Sequence, residues 1–129
     1  MIVVDASVVV DKLAFRSVGE RVDTHLASAD SVWAPDLIYV EVSSALWRLV
    51  RGGELTARHA RRALDQLRDL PIIAVPHRAL LVRAWRLRES VRIADAFYLA
   101  CAEEVQAPLL TTDRRLARGH HGVPVTLVT

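Results

Sequence analysis

Five short apolar runs punctuate the chain: "IVV" at 2–4, "SVWAP" at 31–35, "IIAV" at 72–75, "PLLTT" at 108–112 and "VPVTLV" at 123–128. Each is too short for a helix, and too continuously apolar for a strand with one face in water. Such runs belong to strands buried on both faces, the signature of a parallel sheet. Helical segments separate them. Residues 7–13 start one helix, and "SVGERVDTHLASAD" follows with Val18, Val22 and Leu26 on one stripe. "DLIYVEVSSALWRLVR" forms a helix with Pro35 in its first turn and Gly52-Gly53 as terminator. Thr56 caps "ARHARRALDQLRDL", a helix starts at Pro76 and runs to about Ser90, and residues 93–105 form one that is apolar on most faces. The alternation predicts an α/β fold, a three-layer α/β/α sandwich with a central parallel β-sheet, built as a single domain over residues 1–129.

At 129 residues, 52% hydrophobic and 25% charged, the chain has material for one buried core and the composition of a globular protein. No apolar run approaches the ~20 residues of a membrane span, and the start lacks the basic segment and cleavage site of a signal peptide. The expected location is cytoplasmic, with no membrane association. Cys101 is the only cysteine and lies inside an apolar helical pattern, so it forms no internal disulfide and reads as a small buried hydrophobe.

Four acids stand in apolar surroundings. Asp5 ends the first strand in "MIVVDASVVV", and Asp113 follows "LLTT" in the same way. In a parallel sheet both emerge beyond the carboxyl ends of their strands, where functional groups gather. Each also reads as the N-cap of the next helix. Asp95 sits early in the helix "RIADAFYLACAEEV", on a face that continues into Tyr98, Leu99 and Ala102. Glu41 is flanked by Val40 and Val42, although Ser44 and Arg48 on its side also fit a solvated face. Asp11 and Asp36, near helix ends, are second-rank candidates, while Asp23, Asp30, Glu54, Asp65, Asp69, Glu89, Glu103 and Glu104 have polar neighbours and read as surface.

Carboxylates gathered at one sheet edge repel one another unless a cation neutralises them. Oxygen ligands without a thiol or imidazole cluster select a hard ion, Mg²⁺ or Mn²⁺. The reaction such a site best supports is phosphodiester hydrolysis by water activated at the metal.

Three segments carry a resemblance: "MIVVDASVVV", "APDLIYVEVSSALWRLVRGGELT" and "ADAFYLACAEEVQAPLLTTDRRLAR". In order and spacing, over essentially the whole chain, they are similar to the PIN-domain ribonucleases, in particular the VapC toxins of bacterial toxin–antitoxin pairs. The resemblance implies Mg²⁺- or Mn²⁺-dependent endonucleolytic cleavage of RNA, inhibition by a cognate VapB-type antitoxin, and a homodimer. It also implies that Asp5, Glu41, Asp95 and Asp113 are the catalytic, metal-holding quartet, with the hydroxyls of Ser7 and Thr111 orienting a carboxylate or water. Two departures stand out. Ile93-Ala94 precedes Asp95 where relatives often carry a hydroxyl or tyrosine, and Asp11 occupies a place more often basic or neutral.

Of 17 basic residues only Lys12 is a lysine. Arg48 and Arg51 near the Gly52-Gly53 turn, with Arg58, Arg61 and Arg62 beyond it, and Arg114, Arg115 and Arg118 after Asp113 are candidates for RNA phosphates or for acidic antitoxin side chains. His120 and His121 read as a polar surface turn, and Trp33, Trp47 and Trp85 as core or interface residues. The alternatives are a PIN fold kept as a non-catalytic module, or a receiver-like Mg²⁺-binding regulatory module, which needs a lysine beside its acids.

Overall fold

The computed structural model describes residues 1–119 and 122–129, so the turn expected at His120 and His121 lies outside the described residues. Five parallel strands form one sheet: β1 (Ile2–Val4), β2 (Val32–Pro35), β3 (Ile72–Val75), β4 (Leu109–Thr111) and β5 (Val125–Leu127), in the order β3-β2-β1-β4-β5. β1 is central, pairing Val3 with Trp33 of β2 on one side and with Leu109 of β4 on the other. Val3 and Val4 are consequently buried, as unbroken β-branched runs in a central parallel strand should be.

The helices are α1 (Ala6–Ala14), α2 (Arg16–Leu26), α3 (Leu37–Arg51), α4 (Ala57–Asp69), α5 (Leu81–Arg86), α6 (Ile93–Val105) and α7 (Arg114–Arg118). α1 packs with α2, α3 and α4, whereas α6 packs with α5 and lies against β1, β2 and β4. Val8, Ile38, Val42 and Leu46 fill the core from the first group, and Tyr98, Leu99 and Ala100 from the second. Burying a side chain of this size contributes roughly 1.5–3 kcal/mol. Cys101 is fully buried within α6.

Several boundaries differ from the sequence reading, each for a tertiary reason. Pro35 ends β2 rather than opening α3, because it pairs with Val75 and the Asp36 N–H donates to the Val75 carbonyl at 3.0 Å. The first N–H of α3, from Leu37, is taken by His77 Nε2 at 2.7 Å. The helix expected from Pro76 to about Ser90 is a 3₁₀ turn at His77–Leu80 followed by α5, and it ends where Arg88 folds back over the Trp85 ring. Gly53 has a φ of +78°, the left-handed geometry that lets a glycine close α3. Thr56 caps α4 as expected, accepting from the His59 N–H at 3.0 Å.

Trp33 is half-buried, but Trp47 and Trp85 are about three-fifths exposed and do not belong to the core. Among the described residues, no helix is long and apolar enough to cross a membrane.

Candidate active site

The strand order reverses between β1 and β4, since β2 and β3 follow on one side and β5 on the other. At such a switch point the loops leaving the two strands part and open a crevice beyond their carboxyl ends. Asp5 follows β1 directly, and Asp113 stands two residues past β4.

A cavity of about 580 Å³ opens there, lined by Asp5, Glu41, Asp95 and Asp113 together with Ser7, Asp11 and Tyr98. The four acids that the sequence singles out thus face one space, delivered by the starts of α1, α6 and α7 and by the body of α3. Asp11 joins them; Asp36 is exposed and outside the lining. Of the acids read as surface, all are exposed except Asp65, which is half-buried.

Asp5 is the most strongly held. Ser7 Oγ donates to Asp5 Oδ1 at 2.6 Å, the Val8 N–H donates to the same oxygen at 3.1 Å, and Thr111 Oγ1 donates to Oδ2 at 2.5 Å. Both hydroxyls are themselves oriented: Thr112 N–H donates to Ser7 Oγ at 3.0 Å, and Asp113 N–H to Thr111 Oγ1 at 2.9 Å. Asp5 therefore serves as the N-cap of α1 and as a cavity carboxylate at once; the two readings are not exclusive. With 6% of its surface exposed, burial pushes its pKa up from 3.8 to about 6, Asp113 adds a smaller rise, and the three donors only partly offset it.

Asp113 likewise caps α7, accepting from the Arg115 N–H at 2.9 Å and the Leu116 N–H at 3.4 Å. Asp95, in the first turn of α6, is buried and paired with two guanidiniums. Arg92 reaches it through Nε at 3.2 Å and Nη2 at 3.3 Å, and Arg115 Nη2 bridges Asp95 at 3.4 Å and Asp113 at 3.3 Å. With these contacts in place, no three histidine, cysteine, aspartate or glutamate side chains among the described residues stand close enough together to share one ion.

Sequence reasoning missed Arg92 and undervalued Tyr98. Arg92 precedes Asp95 by three residues, a helical spacing at which side chains meet, and that was the available signal. Tyr98 is 1% exposed, and its hydroxyl makes no hydrogen bond of ordinary geometry among the described residues, although the Glu41 carboxylate stands near enough to act on it. Burial and then the negative charge of Glu41 hold its pKa far above the usual tyrosine value. Arg48 lines the cavity. Arg51 and Arg114 are exposed and outside its lining. Lys12, the only lysine, pairs with Asp23 and does not line the cavity either.

A parallel α/β sheet with acids converging at its switch point defines a class of fold and site, and comparison with known proteins agrees. The sequence profile of the family described as PIN domain matches residues 2–120, and the chain belongs to that family. Ribonuclease VapC3 of Mycobacterium tuberculosis is 40% identical over 117 residues, covering 91% of this chain and 85% of that protein. Ribonuclease VapC1 of the same organism is 41% identical over 116 residues, 89% of this chain and 87% of its own length. Among solved structures, M. tuberculosis VapC20, described as a sarcin–ricin loop cleaving toxin, superimposes with a TM-score of 0.67 at 18% identity, over 96% of this chain and all of its own, a likeness of fold.

Proposed function

We propose that the chain is a metal-dependent endoribonuclease, the toxin component of a VapBC-type pair, hydrolysing RNA phosphodiester bonds at the cavity beyond β1 and β4. One observation carries this reading: Asp5, Glu41, Asp95 and Asp113 line a single cavity in a chain 40% identical to a VapC ribonuclease.

The residues present suit a hard divalent cation, Mg²⁺ or Mn²⁺. The donors are carboxylate oxygens, and burial disfavours the ionised form of Asp5, a cost that a cation would offset. Bound there, the cation supplies charge neutralisation at the phosphate and lowers the pKa of an associated water. Asp5, Glu41, Asp95 and Asp113 would hold it, drawn closer together than they stand in the cation-free chain. Ser7 and Thr111 orient Asp5, so that its oxygens enter the site already aimed.

Exposed Arg48, Arg51 and Arg114 are phosphate or antitoxin contacts in this reading. A cognate VapB-type antitoxin and a second copy of the chain are the protein partners, and the exposed Val40, Trp47, Leu81, Val82 and Trp85 are the apolar surface available to them. The location is cytoplasmic. The receiver-like alternative fares poorly, because Lys12 lies outside the cavity and the strand order is not the 2-1-3-4-5 of receiver-like folds.

The test is Asp5→Asn. The variant should retain the wild-type far-ultraviolet circular dichroism and lose both cleavage of a labelled RNA and growth inhibition on expression. Unchanged cleavage by the variant, or full wild-type activity in EDTA, overturns the metal-dependent reading of this cavity. A wild-type protein that binds no Mn²⁺ in calorimetry supports the non-catalytic module instead.

A further inference from the structure

A second basin of about 300 Å³ adjoins the catalytic cavity and shares Arg92 and Asp95 with it; Glu89, Ser90 and Arg115 also line it. Arg92 stands at the N-terminus of α6 and Arg115 in α7, so two guanidiniums from different elements converge on the one carboxylate that both spaces share.

These contacts are poor structural links. All four guanidinium–carboxylate distances lie between 3.2 and 3.4 Å, longer than the ~2.7–2.9 Å of strong charge-assisted bonds. The side chains of Arg92 and Arg115 are 61% and 58% exposed, and pairs so open to water contribute little to folding. Asp95 itself is only 11% exposed, so the arginines can turn away at small cost while the acid cannot. A planar fork of five donors suits a phosphate as well as it suits a carboxylate. Glu89, the opposing charge in the basin, is exposed and free to stay in water.

We propose that Arg92 and Arg115 form an exchangeable clamp, which neutralises Asp95 and Asp113 when no cation is bound and transfers to a backbone phosphate of RNA in the adjoining basin when one is. The clamp rests on the nuclease reading and adds to it a phosphate site beside the scissile bond. It makes cation and RNA binding mutually favourable, because each ligand removes what the other must displace.

The experiment uses Arg92→Gln, Arg115→Gln and the pair together. Calorimetric titration of Mn²⁺ into the RNA-free protein should show binding tightened roughly tenfold in the double variant, since two positive charges no longer occupy the carboxylates. Fluorescence anisotropy is measured with a labelled single-stranded RNA whose linkages are phosphorothioates, which suppresses cleavage without altering a cation-holding residue. In this assay Mn²⁺ should strengthen RNA binding while the arginines are present, and that gain should vanish without them. The dependence of log affinity on log salt should also fall by about 0.7 for each phosphate that the variant no longer neutralises.

Arg115→Lys keeps the charge without the fork, and should return Mn²⁺ affinity toward wild type while recovering only part of the RNA affinity. Weaker Mn²⁺ binding in the double variant, or an Mn²⁺-dependent gain in RNA affinity that survives it, overturns the clamp. If wild type binds Mn²⁺ and cleaves RNA while the variants are unaltered, only the clamp falls; if wild type binds no Mn²⁺, the nuclease reading falls with it.

Discussion

Replacing Asp5 with asparagine should make the metal-free protein less sensitive to rising pH. In the folded chain burial lifts the Asp5 pKa from 3.8 to about 6, so the neutral acid is the favoured form. A group shifted in this direction contributes stability that is complete below pH 3.8 and lost as the pH rises through 6. The full difference corresponds to about 3 kcal/mol, most of which is lost between about pH 4 and pH 8. Asparagine occupies nearly the same volume, keeps an acceptor for Ser7 and the Val8 N–H, and carries no charge at any of these pH values. Urea unfolding in EDTA, compared for wild type and Asp5→Asn at about pH 4, 6 and 8, isolates the effect because the other titrating groups are common to both chains. The wild type should lose roughly 2 to 3 kcal/mol relative to the variant across this range, and Mn²⁺ at about pH 8 should stabilise the wild type far more than the variant. A difference that is flat with pH, or that favours the wild type at the alkaline end in EDTA, refutes the argument that desolvation outweighs the three hydrogen bonds at this carboxylate.

Two further outcomes follow from buried groups. Tyr98→Phe removes a buried hydroxyl that makes no hydrogen bond of ordinary geometry among the described residues, so thermal unfolding of the metal-free variant should occur at or above the wild-type temperature; a loss of more than about 1 kcal/mol means that the hydroxyl is bonded to the nearby Glu41 carboxylate in the folded protein. Burial pushes the Cys101 thiol up to about 12, so at about pH 8 it should react with iodoacetamide only on unfolding, and labelling of the native protein at the rate of a free thiol contradicts that burial.

The layer order and the strands were legible because apolar runs of this length have one physical solution, burial on both faces of a parallel sheet. The acidic set was legible for a related reason: a carboxylate among valines, as in "MIVVDASVVV", costs free energy wherever it is buried, and the cost is visible in one dimension. Ser7, which only the family resemblance placed beside Asp5, donates a hydrogen bond to it. Other features are properties of three dimensions. Pro35 belongs to β2 because Val75 lies beside it, some forty residues away in the chain. Trp47 and Trp85 read in the sequence as core or interface residues, and only the packed helices, which leave both facing solvent, remove the first choice.

The site divides along the same line. The acids that line it were marked in the sequence by residue type in apolar surroundings and, for Asp5 and Asp113, by position after a strand. That Asp5 is held by Thr111 across 106 residues, that the Tyr98 hydroxyl is buried beside the acids, and that Arg92 and Arg115 meet on Asp95 were decided only by the packing of the sheet and its helices. Local sequence specifies which groups must avoid water or seek a charge. Tertiary packing specifies which partner each of them finds, because hydrogen bonds and ion pairs depend on distances of a few ångströms that no spacing along the chain encodes.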